Sequence, residues 1–166
     1  MTSFTLTSPD IPAGGSVPAH FEFDGFGCSG RNESPVLRWS HPPEGTRSLA
    51  VTVFDPDAPT ASGWWHWLVV DVPVGCTGLE ANAGVRGGAG LPTGARQIRN
   101  DYGVLSWGGL CPPPGDKPHR YIFTVHALSV DRLDIPDDAT AGLASFMINA
   151  NTLATASFTS TYGRPK

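Results

Sequence analysis

The chain has 166 residues, a formal net charge of −4 and only 16% charged side chains, while 20 Gly and 16 Pro fill more than a fifth of it. Its 40% hydrophobic content, with five Trp, eight Phe and three Tyr, excludes a disordered chain, and the density of helix breakers excludes a helical bundle. The 11 Lys and Arg form no basic block, which argues against a nucleic-acid partner, and no stretch reaches the ~18 apolar residues of a membrane span, so no stable membrane insertion is expected.

A chain of this length is expected to form one domain, residues 1–166, with a core large enough to fold without disulfides. Met1 to Pro12 has neither a basic start nor an apolar run, which predicts no signal peptide and a cytoplasmic location. Phe4 to Leu6 is a short apolar piece ended by the turn residues of SPDIPAGG, and His20 to Phe23 reads as a second extended piece. Val36 to Trp39 reads as a strand bounded by His41-Pro-Pro. Ser48 to Phe54 (SLAVTVF) is β-branched and closed by DPDAP, a strong strand signal. Trp64 to Val72 (WWHWLVVDV) is apolar on both faces, as a central strand requires. The glycine-rich stretch 75–94 reads as one long loop, and 101–118 as irregular. His119 to Val130 is a long strand. Pro136-Asp-Asp opens the only good helix, whose apolar side is Leu143, Phe146, Met147, Ala150 and Ala154 at i, i+3, i+4 spacing. Thr155 to Tyr162 alternates small polar and apolar residues as a last strand. The sum is a mainly all-β, mostly antiparallel sandwich with one late helix.

Several residues stand out chemically. Asp55 and Asp57 of DPDAP lie at a strand exit, braced by Pro56 and Pro59; they make either a rigid turn or a displayed carboxylate pair. His66 sits inside an apolar strand, where strict alternation puts Trp64, His66, Leu68 and Val70 on one face. A buried imidazole needs a hydrogen-bond partner, and Asp55 would suit it. His119 and Tyr121 are two apart at a strand start and point the same way, behind the stiff entry Cys111-Pro112-Pro113-Pro114-Gly115. His20, His41 and His126 have no companions and read as structural or surface groups. Cys28, Cys76 and Cys111 are odd in number and form no CxxC pair, so neither a zinc cluster nor a disulfide framework is expected. Cys111 is then either a small buried side chain or a thiolate nucleophile served by His119 or His66.

Taken in order, DPDAP, GWWHW and PPPGDKPHRY resemble the phosphatidylethanolamine-binding protein family, in particular its bacterial and archaeal Raf kinase inhibitor-like branch. SPDIPAGGSVPAHFEFDG, SPVLRWS, GARQIRNDYG and the closing TYGR extend the resemblance over almost the whole chain. It implies a sandwich of two antiparallel sheets with Greek-key character and a short C-terminal helix. It also implies a small pocket for phosphate-like or carboxylate anions. By position the ligand-binding residues would be Asp55, His66, His119, Tyr121, Pro112, Pro113, Trp64, Ala58 and Pro59, with Asp57 and Cys111 supporting them. Arg120, by parity, would point away and make a structural ion pair. Leu110 and Trp107 depart from the branch pattern and are expected near the pocket mouth. The resemblance further implies a homodimer. It calls for no cofactor and no metal, and no protein partner can be named, although relatives carry a kinase-inhibitor label. The reading is a binding protein for a small anionic ligand. The alternative is an enzyme in the same pocket, either a cyclase of small-molecule biosynthesis, a Cys/His hydrolase, or a metal site built from His66, His119 and Asp55.

Overall fold

The computed structural model describes residues 3–166, so the first two positions of the segment read for a leader lie outside it. The strands are β1 (Thr5–Thr7), β2 (Leu37–Ser40), β3 (Ser48–Asp55), β4 (Trp64–Pro73), β5 (Gly78–Leu79), β6 (Arg96–Gln97), β7 (His119–Leu128) and β8 (Thr152–Tyr162), with one helix, α1 (Ala141–Ala150). They form two antiparallel sheets, one ordered β1-β2-β5 and the other β6-β4-β3-β7-β8. The expected fold class is the one found. Two pieces differ locally. His20 and its neighbours form a 3-10 turn (Ala19–Phe21) rather than an extended segment, and β5 interrupts the stretch expected to be one loop.

The main core lies between the sheets. Leu6, Leu37 and Trp39 of the small sheet pack on Val51, Val53, Trp67, Val69, Phe123 and Val125 of the large one. A second cluster covers the other side of the large sheet, where Ala50, Leu68, Val70 and Leu128 meet Leu133, Ile135 and the helix. Both faces of β3 and β4 are therefore buried, which explains their near-continuous apolar sequence.

The helix corrects the sequence reading. Thr140 caps it, its Oγ1 accepting the Leu143 N–H at 3.1 Å, so it begins at Ala141 rather than at Pro136. Its buried residues are Ala141, Ala144 and Ile148, whereas Leu143 is 43% and Phe146 71% exposed. Small alanines let the helix approach the sheet closely, and of the expected apolar side Leu143 and Phe146 face outward while Met147 packs partly buried against the cluster. Ala154 belongs to β8.

Strand β4 corrects a second expectation. Val53 pairs with Trp67 but Phe54 pairs with Trp65, so His66 is an extra residue opposite β3, a β-bulge. The bulge resets the alternation. Trp64 and His66 face the site, and beyond them Trp67 and Val69, not Leu68 and Val70, continue on the inter-sheet side. Strict parity fails because one unpaired residue shifts the side chains that follow it to the opposite face, until a second irregularity opposite Ala50 returns Val72 to the inter-sheet core.

Candidate functional site

At one end of the sandwich the exit of β3 meets the entries of β4 and β7 around a cavity of about 320 Å³. All nine residues expected to touch a ligand line it: Asp55, Ala58, Pro59, Trp64, His66, Pro112, Pro113, His119 and Tyr121. Cys111 lines it too, as do Phe26, Thr60 and Tyr102, which sequence reasoning did not single out. Tyr102 lies in the RNDYG segment, so its type and place were visible but its partners were not.

The DPDAP turn folds on itself. Asp55 Oδ1 accepts the Asp57 N–H at 2.7 Å, which fixes the carboxylate, and Oδ2 accepts from His119 Nδ1 at 2.7 Å. Asp55 therefore partners His119, not His66. The His66 Nδ1–H donates to the Gly108 carbonyl of the neighbouring 101–109 segment at 2.7 Å instead. A carbonyl only accepts, so the neutral His66 ring carries its proton on Nδ1 and presents Nε2 as an acceptor. Burial pushes its pKa down to about 4 against the pull of that carbonyl, and the ring is neutral at pH 7.

His119 behaves in the opposite way. Burial disfavours its charge, but hydrogen bonds to Asp55 and Asp116 outweigh that and raise its pKa above the ordinary value. Its Nε2 lies 3.0 Å from Asp116 Oδ2. On the outward side of β7, Arg120 grips Asp57 with Nε (3.0 Å) and Nη2 (2.9 Å), and its backbone N–H adds a third bond at 2.8 Å. The guanidinium holds the Asp57 carboxyl at about 2. Arg120 thus points away from the cavity in an ion pair, and Asp57 braces the turn rather than lining the site.

The opposite wall is braced differently. Cys28 and Cys111 form a disulfide across 83 residues of sequence, with Cα atoms 6.0 Å apart. This overturns both expectations for Cys111: it is neither a free buried thiol nor a nucleophile. An odd count hid the bond, because Cys76 is the free cysteine that makes three. Arg164 runs parallel to it, donating Nε to the Pro112 carbonyl at 2.7 Å and Nη1 to the Gly27 carbonyl at 3.2 Å. Glu22 accepts from Ser29 N–H at 3.0 Å and from the Tyr162 hydroxyl. Gly30 can pass here because any Cβ would lie 2.2 Å from the Glu22 carbonyl oxygen. The loop so held carries Phe26, 76% exposed at φ +52°, onto a stack with Phe23 and Tyr102, whose rings are 4.0 Å apart and nearly parallel.

Trp107 and Leu110 are not at the mouth of this cavity. Trp107 is 1% exposed and packs edge-on against Trp67 at 5.7 Å, and Leu110 is fully buried in the same core. Among the described residues no three His, Cys, Asp or Glu side chains are grouped as metal ligands, so the triad of His66, His119 and Asp55 is not assembled. Also among them, no helix is long and apolar enough to cross a membrane. His126 falls on the helix side of the large sheet, away from the site, as parity requires.

Comparisons with known proteins agree with this geometry. The family described as phosphatidylethanolamine-binding protein matches residues 7–163. The UPF0098 protein YbcL of Escherichia coli K12 is 51% identical over 160 residues, covering 96% of this chain and 87% of the relative. The UPF0098 protein YbhB of the same strain is 43% identical over 157 residues, covering 95% of this chain and 98% of that one. The crystal structure of E. coli YbcL, described there as a new member of the mammalian PEBP family, superposes with a TM-score of 0.95 over 98% of this chain and 99% of that one. The chain belongs to the phosphatidylethanolamine-binding protein family.

Proposed function

We propose that the protein binds a small anion, phosphoryl or carboxylate, in the cavity bounded by Asp55, His66, His119 and Tyr121, and acts as a binding module rather than an enzyme. The observation that carries this reading is a pair of buried donors. Tyr121 Oη and Trp64 Nε1 both belong to the lining, and among the described residues neither has a hydrogen-bond partner. An unpaired buried donor costs roughly 1–3 kcal/mol, a cost that an oxyanion accepting both bonds offsets. The imidazolium of His119 adds positive charge beside them. Neutral His66 offers an acceptor, which suits the P–OH of a hydrogen phosphate or phosphomonoester monoanion. Proline and tryptophan walls supply the low-dielectric surround in which such bonds strengthen.

Calorimetric titration with inorganic phosphate and phosphoethanolamine tests this. We expect saturable binding by the wild type and at least a 10-fold loss in Tyr121→Phe and His119→Ala. Identical titrations for all three would place the ligand elsewhere. A cyclase-type enzyme would need the same pocket, whereas the disulfide removes the Cys111 hydrolase. The disulfide also favours an oxidising compartment over the cytoplasmic one expected from the N-terminus. A homodimer remains the proposed assembly, tested by sedimentation at twice the 17.5 kDa chain mass.

A further inference from the structure

The His119 ring is engaged by a carboxylate at each nitrogen, Asp55 at Nδ1 and Asp116 at Nε2. An ionised carboxylate only accepts, so a ring bonded to both is an imidazolium donating twice. The two partners are not equivalent. Asp55 is buried and its other oxygen is held by Asp57 N–H, so it cannot leave without opening the DPDAP turn. Asp116 ends a turn closed by its own N–H on the Pro113 carbonyl at 3.2 Å, with Gly115 at φ +85° before it. Its side chain is 41% exposed and, among the described residues, makes no side-chain hydrogen bond other than the one to His119. His119 borders both the cavity and the shallow surface depression lined by Asp116, so Asp116 reaches the ring from outside.

This arrangement has a consequence for any anion that enters. Nδ1–H is committed to Asp55, so the one N–H that His119 can give to a ligand is the one Asp116 holds. We propose that Asp116 is a built-in competitor for the site: it occupies His119 Nε2–H in the free protein, and only an anion that accepts more strongly than a carboxylate displaces it. The proposal rests on the anion-binding reading above and narrows it to the phosphoryl class. A monocarboxylate offers His119 only what Asp116 already offers, and Asp116 is tethered and loses less freedom on binding. A phosphoryl group carries more charge and three acceptor oxygens, enough to reach Tyr121, Trp64 and His119 together. Of the other groups near the ring, Asp55 is held by the Asp57 N–H, Asp57 by Arg120 and His66 by the Gly108 carbonyl, and burial keeps Tyr121 neutral, so discrimination falls to the exposed carboxylate.

Calorimetry at pH 6 with inorganic phosphate and with acetate, on wild type, Asp116→Asn, Asp116→Ala and Tyr121→Phe, tests this. That pH lies below the ordinary imidazole value of about 6.5, on the side that favours the charged ring. The expected result is phosphate about 10-fold tighter in both Asp116 variants, with acetate binding rising to measurable strength only in them. Nitrogen NMR of His119 should show the Nε2–H signal moving on phosphate addition in the wild type. Equal or weaker phosphate binding in both Asp116 variants, while Tyr121→Phe still weakens it, overturns the competitor and leaves the anion site standing. Phosphate titrations that Tyr121→Phe does not change overturn the anion site, and the competitor with it. If Asp116→Ala proves unfolded by thermal melting, Asp116→Asn alone decides.

Discussion

The two walls of the cavity hold their positions by different means. On the β3/β7 side, short polar contacts between DPDAP and HRY fix each group: Asp55 to His119, Asp57 to Arg120, and Asp55 to the Asp57 backbone. On the other side, the loop with Phe26 is tied to the proline wall by the Cys28–Cys111 bond, by Arg164 bridging two carbonyls, and by ring stacking. The first wall is a network of directional bonds between groups brought together by adjacent strands. The second is a loop fastened across 83 residues of sequence, with no strand to position it. The difference shows that a site can borrow rigidity from the sheet on one side and must obtain it from covalent and aromatic contacts on the other.

The largest expected effect is on the covalent wall. Replacing both Cys28 and Cys111 by Ser reopens a loop whose closure is worth about 4–5 kcal/mol at this sequence separation, so the melting temperature should fall by roughly 10–15 °C. An unchanged thermal melt would mean that Arg164 and the ring stack hold the wall unaided. Next comes the polar wall. Asp55→Ala strips a buried imidazolium of its fixed partner and leaves the Asp57 N–H unpaired, which should lower the urea-unfolding free energy by about 3 kcal/mol. A loss under 1 kcal/mol would mean Asp116 alone suffices for His119.

Acid sharpens the contrast between the histidines. His66 and His126 are both held down to about 4 by burial, so the unfolded chain binds more protons than the folded one between pH 6.5 and 4. Stability should therefore fall as pH drops through that window, by at most ~1.4 kcal/mol per pH unit for each group. His119 has the opposite sign. Its pKa is raised, so its contribution is full below about 6.5 and is lost as pH rises through the folded value. Urea midpoints measured from pH 4 to 9 should form a dome, and a flat profile would contradict both assignments. The smallest effect concerns Arg120, which is exposed. Arg120→Ala should return the Asp57 carboxyl from about 2 toward its usual 3.8 by NMR titration, with little change in melting temperature. An unmoved Asp57 would show that the turn, not the guanidinium, depresses it.

The sequence made the polar wall legible because its residues announce themselves by type and spacing. Two carboxylates braced by Pro56 and Pro59, and a His and Tyr two apart on a strand, belong to local patterns that adjacent strands then superpose. The choice of partner was not legible. Asp55 could have met either histidine, and the long-range approach of the 101–109 segment gave His66 the Gly108 carbonyl instead. The covalent wall was hidden because pairing Cys28 with Cys111 is a fact of topology, and the spare Cys76 obscured the count. The helix misled for a related reason. Hydrophobicity ranks Leu143 and Phe146 above Ala141 and Ala144, but close approach to a sheet rewards small side chains, so the less apolar face went inward.

The bulge at His66 also divides β4 into two segments that can vary separately. Trp64 and His66 shape the cavity, while 67–72 are committed to the two cores, and the unpaired residue between them absorbs a mismatch in alternation. Substitutions at Trp64 or His66 can then change what the cavity accepts without moving Trp67 or Val69. A single-residue deletion in that span would instead carry the whole hydrophobic load of the strand to the wrong side. In this strand, tolerance to exchange and intolerance to length change have the same origin.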